Sequence, residues 1–162
     1  MFQHTPGLLR CALRLTRSAP EAEDLVQDAL LRAWQYWDGF DQRSNCRAWL
    51  FRILINVFRR SLGQPGRKNP HLSTDHPEVT NVLRFEHKFE LDEHGVREAF
   101  SRIPREYQEV IELVLVEEFS YKETAEILEV PMGTVMSRLF RGRQKMQSLL
   151  RMPPSRGASS NG

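Results

Sequence analysis

The chain has 162 residues, 40% hydrophobic and 27% charged, with a net charge of +2. That length holds roughly one ordinary domain or two small ones, each near the size at which folding alone is marginal. There is no run of about 18 apolar residues, no signal segment at Met1-Phe2-Gln3-His4, and the only thiols are Cys11 and Cys46; this rules against a membrane span, a disulfide scaffold and a four-cysteine zinc site, and the expected setting is a reducing cytoplasm.

The small net charge conceals segregation. Residues 41–70 hold seven Lys/Arg (Arg43, Arg47, Arg52, Arg59, Arg60, Arg67, Lys68) against Asp41, and residues 71–95 hold six acids against Arg84 and Lys88. Residues 106–129 hold eight acids with Lys122, whereas 131–151 hold Arg138, Arg141, Arg143, Lys145 and Arg151 with no acid. Two separated basic blocks predict two contacts with a polyanion.

Nearly every periodic segment is helical. Leu8, Ala12 and Leu15 share one face of a first helix. Ser18-x-x-Glu21, with Pro20 in the first turn, reads as a capping box opening a second helix that runs to about Trp37. Its apolar stripe is Ala22, Leu25, Val26, Ala29, Leu30, Ala33, Trp34 and Trp37; Asp24, Gln27, Asp28, Leu31, Arg32 and Gln35 lie opposite. Asp38-Gly39 stops the helix, and a polar loop leads to a third helix from about Cys46 with Trp49, Leu50, Ile53, Leu54, Val57 and Phe58. Gly63, Pro65, Gly66, Pro70 and Pro77 then break the pattern, and residues 63–84 read as a linker, with a weakly amphipathic helix over 82–93.

Helices resume beyond it. Val96, Ala99, Phe100 and Ile103 lie on one face ended by Pro104, and Tyr107, Val110, Ile111, Val114 and Leu115 continue the spacing. Ser120-x-x-Glu123 is a second capping box, opening a short helix with Ala125, Ile127 and Leu128; a turn at Val130–Gly133 precedes a last helix from about Thr134 to Leu150. The Ser/Gly/Pro-rich tail over 152–162 is expected to be disordered.

No catalytic constellation is visible: there is neither a glycine-rich phosphate loop nor a GxSxG. His71, His76, His87 and His94 are scattered in or near the linker, so no metal site and no cofactor are expected, and the two cysteines read as structural. The strongest local signal is Phe119–Arg143, where a short capped helix, a turn and a basic helix make a helix-turn-helix. Val135, Leu139, Gly142 and Met146 form its packing face, while Met136, Ser137, Phe140, Arg141 and Gln144 face outward, suited to thymine methyls and base edges. The stripe around Leu31 fits either a solvated face or a protein partner. The basic block from Arg43 interleaves Trp49, Phe51 and Phe58, the composition of single-strand binding; Trp49 is assigned to the core and Phe51, Arg52 and Asn56 to the surface.

Two stretches resemble a known family. Ala22-Glu23-Asp24-Leu25-Val26-Gln27-Asp28-Ala29-Leu30-Leu31-Arg32-Ala33-Trp34, followed by Arg47-Ala48-Trp49-Leu50-Phe51-Arg52-Ile53 and Asn56, is similar to region 2 of the extracytoplasmic-function (ECF) sigma factors, group 4 of the sigma-70 family. Ile103-Pro104-Arg105-Glu106, Phe119–Leu128 and Pro131–Arg143 resemble their region 4. The chain departs from the pattern in a short N-terminal helix, in Cys46 where an aromatic often stands, and in Arg59-Arg60 soon after Asn56.

The resemblance implies an all-α fold of two small helical domains, region 2 over 1–62 and region 4 over 85–151, joined by a flexible linker. It implies a bacterial initiation factor and no enzyme. Asp24, Gln27, Asp28, Leu31, Arg32 and Gln35 would bind the clamp helices of the largest RNA polymerase subunit, with region 4 near the β flap. Arg43, Ser44, Asn45, Cys46, Arg47, Phe51, Arg52, Asn56, Arg59 and Arg60 would capture and hold the melted −10 strand. Thr134, Met136, Ser137, Arg138, Phe140, Arg141, Arg143 and Lys145 would read the −35 duplex. The partners implied are core polymerase, promoter DNA and an anti-sigma protein that holds the chain, at times at the membrane, without the chain inserting there. A free-standing helix-turn-helix regulator and a protein-binding helical adaptor are the competing readings.

Overall fold

The computed structural model describes residues 2–63 and 93–151, which form seven α-helices and no strand. The expected linker beyond Gly63, the expected helix over 82–93 short of Glu93, and the tail after Arg151 lie outside the described residues.

The first unit is three helices. α1 (Thr5–Thr16) carries Pro6 in its first turn, where a missing N–H is tolerated, and ends at Arg17 in the left-handed conformation. It buries Leu8, Cys11, Ala12 and Leu15. α2 (Ala19–Gln35) opens on Ser18, whose hydroxyl accepts the Glu21 N–H. Ala22, Leu25, Val26, Ala29 and Ala33 are buried as their spacing requires. Trp34 departs from the expected stripe: it is 67% exposed, and Trp37 is half-buried. Ala33 in the same turn is fully buried, whereas Trp34 lies seven residues after the exposed Gln27 and so shares its outward face. The helix also stops at Gln35, before a 3-10 turn over Trp37–Gly39. α3 (Cys46–Leu62) is capped by Asn45, whose Oδ1 accepts the Ala48 N–H at 3.2 Å.

The second unit contains α4 (Glu93–Arg102), α5 (Arg105–Ile111), α6 (Tyr121–Leu128) and α7 (Met132–Arg151). Val96, Ala99, Phe100 and Ile103 are all buried. The expected stripe fails after Ile111: a π turn over Glu112–Val116 shifts the phase, so Glu112 and Leu113 are buried while Val114 and Leu115 are half-buried. Both halves of the second capping box form, Ser120 with the Glu123 N–H and Glu123 with the Ser120 N–H. Val135, Leu139, Gly142 and Met146 are buried along α7. Gly142 sets the crossing of α7 over α5, because a Cβ there would meet Ile111 Cδ1 at 3.0 Å and Tyr107 Cβ at 3.1 Å.

The two units pack on one another, α3 against α6, and their buried side chains form one continuous cluster. Phe51, assigned to the surface from sequence, is fully buried there. Its ring meets that of Phe119 edge-on with centroids 5.1 Å apart, so the second unit supplies its cover. Trp49, assigned to the core, is half-buried.

Candidate nucleic-acid interface

Three surfaces carry the residues of interest. On α7, Met136, Ser137, Phe140, Arg141, Arg143 and Lys145 are exposed, with Thr134 and Arg138 half-buried. Phe140 is 64% exposed. An uncovered Phe and Met beside a guanidinium is poor chemistry for water but good chemistry for a duplex groove, which offers methyls and acceptor atoms together. The Ser137 hydroxyl meanwhile donates to the Thr134 carbonyl. The short α6, the left-handed Glu129 that ends it, and the close Gly142 crossing hold α7 outward as the second helix of a helix-turn-helix.

On α2, Asp24, Gln27, Asp28, Leu31 and Gln35 are exposed and Arg32 is half-buried. Leu31, 57% exposed, sits between carboxylates on a face that α1 and α3 leave uncovered. Trp34 and Tyr36 extend that exposed apolar surface; the sequence reading placed Trp34 in the buried stripe and did not single out Tyr36.

The third surface runs along α3 and the loop before it. The Asp41 carboxylate accepts the Arg43 N–H at 2.9 Å, and its carbonyl accepts the Ser44 hydroxyl at 2.7 Å, so the loop is held by local bonds. Trp37 stacks on Phe40, and Phe40 lies 4.6 Å from Trp49, which braces the loop against α3. Arg43, Ser44, Asn45, Arg52 and Arg60 are exposed, Cys46, Arg47, Asn56 and Arg59 half-buried, and Phe51 buried.

Much of this third surface is already engaged. Asn45 Nδ2 donates to Glu123 at 2.8 Å, and Arg47 Nη2 donates to Glu117 at 2.6 Å with its guanidinium 4.2 Å from the Phe119 ring centroid. Arg59 donates to both oxygens of Glu109, at 3.1 and 2.6 Å, and Arg52 pairs with Glu129. Behind them Arg14 of α1 reaches Glu112 with Nε at 2.6 and 2.8 Å and Glu117 with Nη2 at 2.9 Å. Burial pushes the Glu112 carboxyl up to about 7, against the opposing charge of Arg14. The Ser120 N–H and then the Asn45 amide hold Glu123 below the ordinary carboxylate range. Burial raises the Cys11 thiol, which makes it a poor nucleophile.

Residues 1–67 match the family model for sigma-70 region 2, and residues 94–146 match that for sigma-70 region 4. The ECF RNA polymerase sigma factor EcfG of Rhodopseudomonas palustris is 35% identical over 152 residues, covering 90% of this chain and 80% of the relative. The chain belongs to the ECF sigma factors. The ECF sigma-E factor of Escherichia coli is 30% identical, covering 93% of this chain and 85% of its own. Among solved structures, the sigma factor RpoE of Bartonella quintana, in complex with the anti-sigma factor NepR, is similar with a TM-score of 0.74 and 31% identity over 93% of this chain and 94% of that one. CnrH, in complex with the cytosolic domain of CnrY, follows at a TM-score of 0.67 and 28% identity, over 91% and 82%.

The family decides among the three readings: this is an RNA polymerase sigma factor for transcription initiation, not a free-standing regulator or an adaptor. Among the described residues no group of three His, Cys, Asp or Glu is placed to hold a metal ion, and no helix is long and apolar enough to cross a membrane. The carboxylates that meet the region 2 arginines were not singled out from the sequence. Their signal was the acid-rich stretch 106–129, opposite in sign to 41–70.

Proposed function

We propose that this sigma factor joins core polymerase through the α2 stripe, reads the −35 duplex with α7, and holds the melted −10 strand along α3. Region 2 then spans residues 1–62, region 4 residues 85–151, and 63–84 link them. An apolar anchor with a polar rim is interface composition, and Leu31 among Asp24, Gln27, Asp28, Arg32 and Gln35 supplies it. On α7, Ser137 and Arg141 would touch base edges, Met136 and Phe140 thymine methyls, and Thr134, Arg138, Arg143 and Lys145 mainly phosphates. On α3, Arg43, Arg47, Arg52, Arg59 and Arg60 would hold phosphates while Ser44, Asn45, Cys46 and Asn56 surround a base taken out of the stack.

Region 4 would also lie near the β flap. The chain would act in the cytoplasm and be held there, or at the membrane, by an anti-sigma protein; the similar RpoE is solved in complex with the anti-sigma factor NepR. The single observation that carries the reading is that the α2 stripe and the α7 face are both uncovered on one chain of this family. Asp28→Arg with Leu31→Ala tests it, since both positions lie opposite the buried stripe of α2. Capture on immobilised core polymerase should weaken about tenfold or more, the loss of roughly 1.4 kcal/mol at an anchor, with melting temperature unchanged. Unchanged capture refutes the polymerase assignment.

A further inference from the structure

We propose that α7 is a reader of pyrimidine methyl groups: Met132, Met136 and Phe140 form an apolar flank that seats 5-methyl groups along one DNA strand, so that 5-methylcytosine is accepted as thymine is and plain cytosine is not. This deepens the function proposed above and rests on α7 lying in a duplex groove; Met132 lies outside the contacts assigned there. The three side chains are 50%, 50% and 64% exposed. They recur every four residues from the first residue of the helix. Four residues overshoot a full turn by about 40°, so the row slants from the edge of the buried stripe toward the crest of the outward face over about 12 Å. That length matches roughly three to four steps along one DNA strand.

The two flanks of α7 differ in kind. Ser137, Arg141 and Gln144 form the crest, with Thr134, Arg138 and Lys145 on the side away from the apolar row. Arg143, seven residues after Met136, continues the row with a cation. A helix in the major groove meets one strand with each flank, and a pyrimidine methyl projects beside the backbone of its own strand, so the apolar flank addresses a single strand. Charge selects the occupant. Residues 131–151 hold five Lys/Arg and no acid. Whatever covers Met and Phe here must also answer those cations, which a duplex does with phosphates on both sides of its groove. Thioether and phenyl groups offer thymine O4 or the cytosine amine no strong hydrogen bond, so the flank senses the methyl rather than the base. Methylation of a cytosine within the −35 element therefore strengthens binding, and the mark becomes a signal that this chain can read.

The test uses the full chain and a fluorescein-labelled duplex that it selects from a randomised pool, read by anisotropy. Uracil, which lacks only the methyl group, replaces each thymine in turn. Burying one methyl corresponds to about fourfold in affinity, so a sensitive thymine should lose about fourfold and two together about fifteenfold. The sensitive thymines should lie on one strand within about four steps. Where cytosine paired with guanine replaces one of them, its C5 methylation should return about fourfold. Met136→Gln with Phe140→Gln should shrink the uracil effect to within about twofold. Both positions are exposed, so melting temperature should not move. A selected duplex indifferent to uracil overturns the methyl reading while leaving α7 as the −35 helix. So does a uracil effect that survives the double substitution, and if capture on core polymerase falls in that variant the flank belongs to a protein surface. Failure of the chain to select any duplex sinks the assignment of α7 to the −35 element and the methyl reading with it.

Discussion

α3 and α7 are built from the same chemistry, arginines and aromatics at helical spacing, and the fold treats them oppositely. Phe140 on α7 is 64% exposed, while Phe51 on α3 is fully buried. Arg47, Arg52 and Arg59 are paired with carboxylates, whereas Arg141, Arg143 and Lys145 form no ion pair with a described residue. Composition therefore sets what a helix can bind, and the rest of the chain sets whether it is free to bind it. The contacts between the units that cover α3 grade from the buried Arg14–Glu112 pair behind it to the exposed Asn45–Glu123 contact at its start, and experiments can be ordered along that gradient.

The largest effect is expected at Arg14. Arg14→Ala leaves Glu112 buried and without its cation, which costs about 3–5 kcal/mol when one member of a buried pair is removed. The two residues belong to different units, so the cost falls on closure. Small-angle scattering should show an expanded chain whose helical signal is retained. Arg14→Met with Glu112→Leu should restore the compact form. The same pair gives a pH dependence. Glu112 faces Arg14 and Cys11 of α1 and the nearby Glu117, and burial places it at about 7, above its ordinary 4.5. The closed form thus binds a proton that the open form releases, so this group favours closure below about 4.5 and loses that contribution as pH rises through about 7. Glu112→Gln should flatten the pH dependence of the chain's radius over that window; a radius that shrinks as pH rises through about 7 would reverse the sign.

The next effect tests what holds α7 outward. Gly142→Leu forces a side chain into Ile111 and Tyr107, and overpacking of this kind costs about 1–3 kcal/mol. Thermal unfolding should show the loss, and duplex binding should weaken although no DNA-facing residue has changed.

Arg141→Ala should cost about 1–3 kcal/mol of binding and relax preference at one −35 position, because on the proposed reading it removes a base-edge contact. Lys145→Ala should weaken all sequences alike and lower the salt slope by about one unit. Selection from a randomised duplex pool separates them, and identical profiles would break the division between base and phosphate contacts on α7.

The helices and the outward face of α7 were legible because each rests on local spacing. Val135, Leu139, Gly142 and Met146 recur at 3.6-residue intervals, and all four are buried. What spacing could not show was anything set by a distant partner. The π turn over Glu112–Val116 breaks the period without a Gly or Pro to announce it. Trp34 borders the apolar stripe in sequence, but it lies seven residues after the exposed Gln27, on the outward face, while its neighbour Ala33 is buried. Phe51 is hidden by Phe119, 68 residues along the chain. The charge blocks held the missing information, since the acids of 106–129 complement the bases of 41–70, but block charge alone does not say whether the partner is DNA or the chain itself.

The smallest effect is the sharpest test of that point. Asn45 does two jobs at once: its Oδ1 caps α3 by accepting the Ala48 N–H, and its Nδ2 donates across the units to Glu123. Asn45→Asp keeps an acceptor at the cap, where a negative charge is also favoured by the helix dipole. It replaces the donor with a carboxylate facing Glu123, which its hydrogen bonds already hold in the charged form. Closure should therefore weaken by less than about 1 kcal/mol, the scale of an exposed polar contact, while α3 keeps its stability. Asn45→Ala loses both bonds and should in addition destabilise α3 by about 0.5–2 kcal/mol. Amide exchange at the α3 N-terminus reports the cap, and the α3–α6 separation, read by a label pair, reports the contact. If Asn45→Asp changed the exchange and left the separation alone, the amide would belong to the loop rather than to the closed face. If only the separation moved, even this exposed residue would take part in keeping α3 covered while α7 stays free.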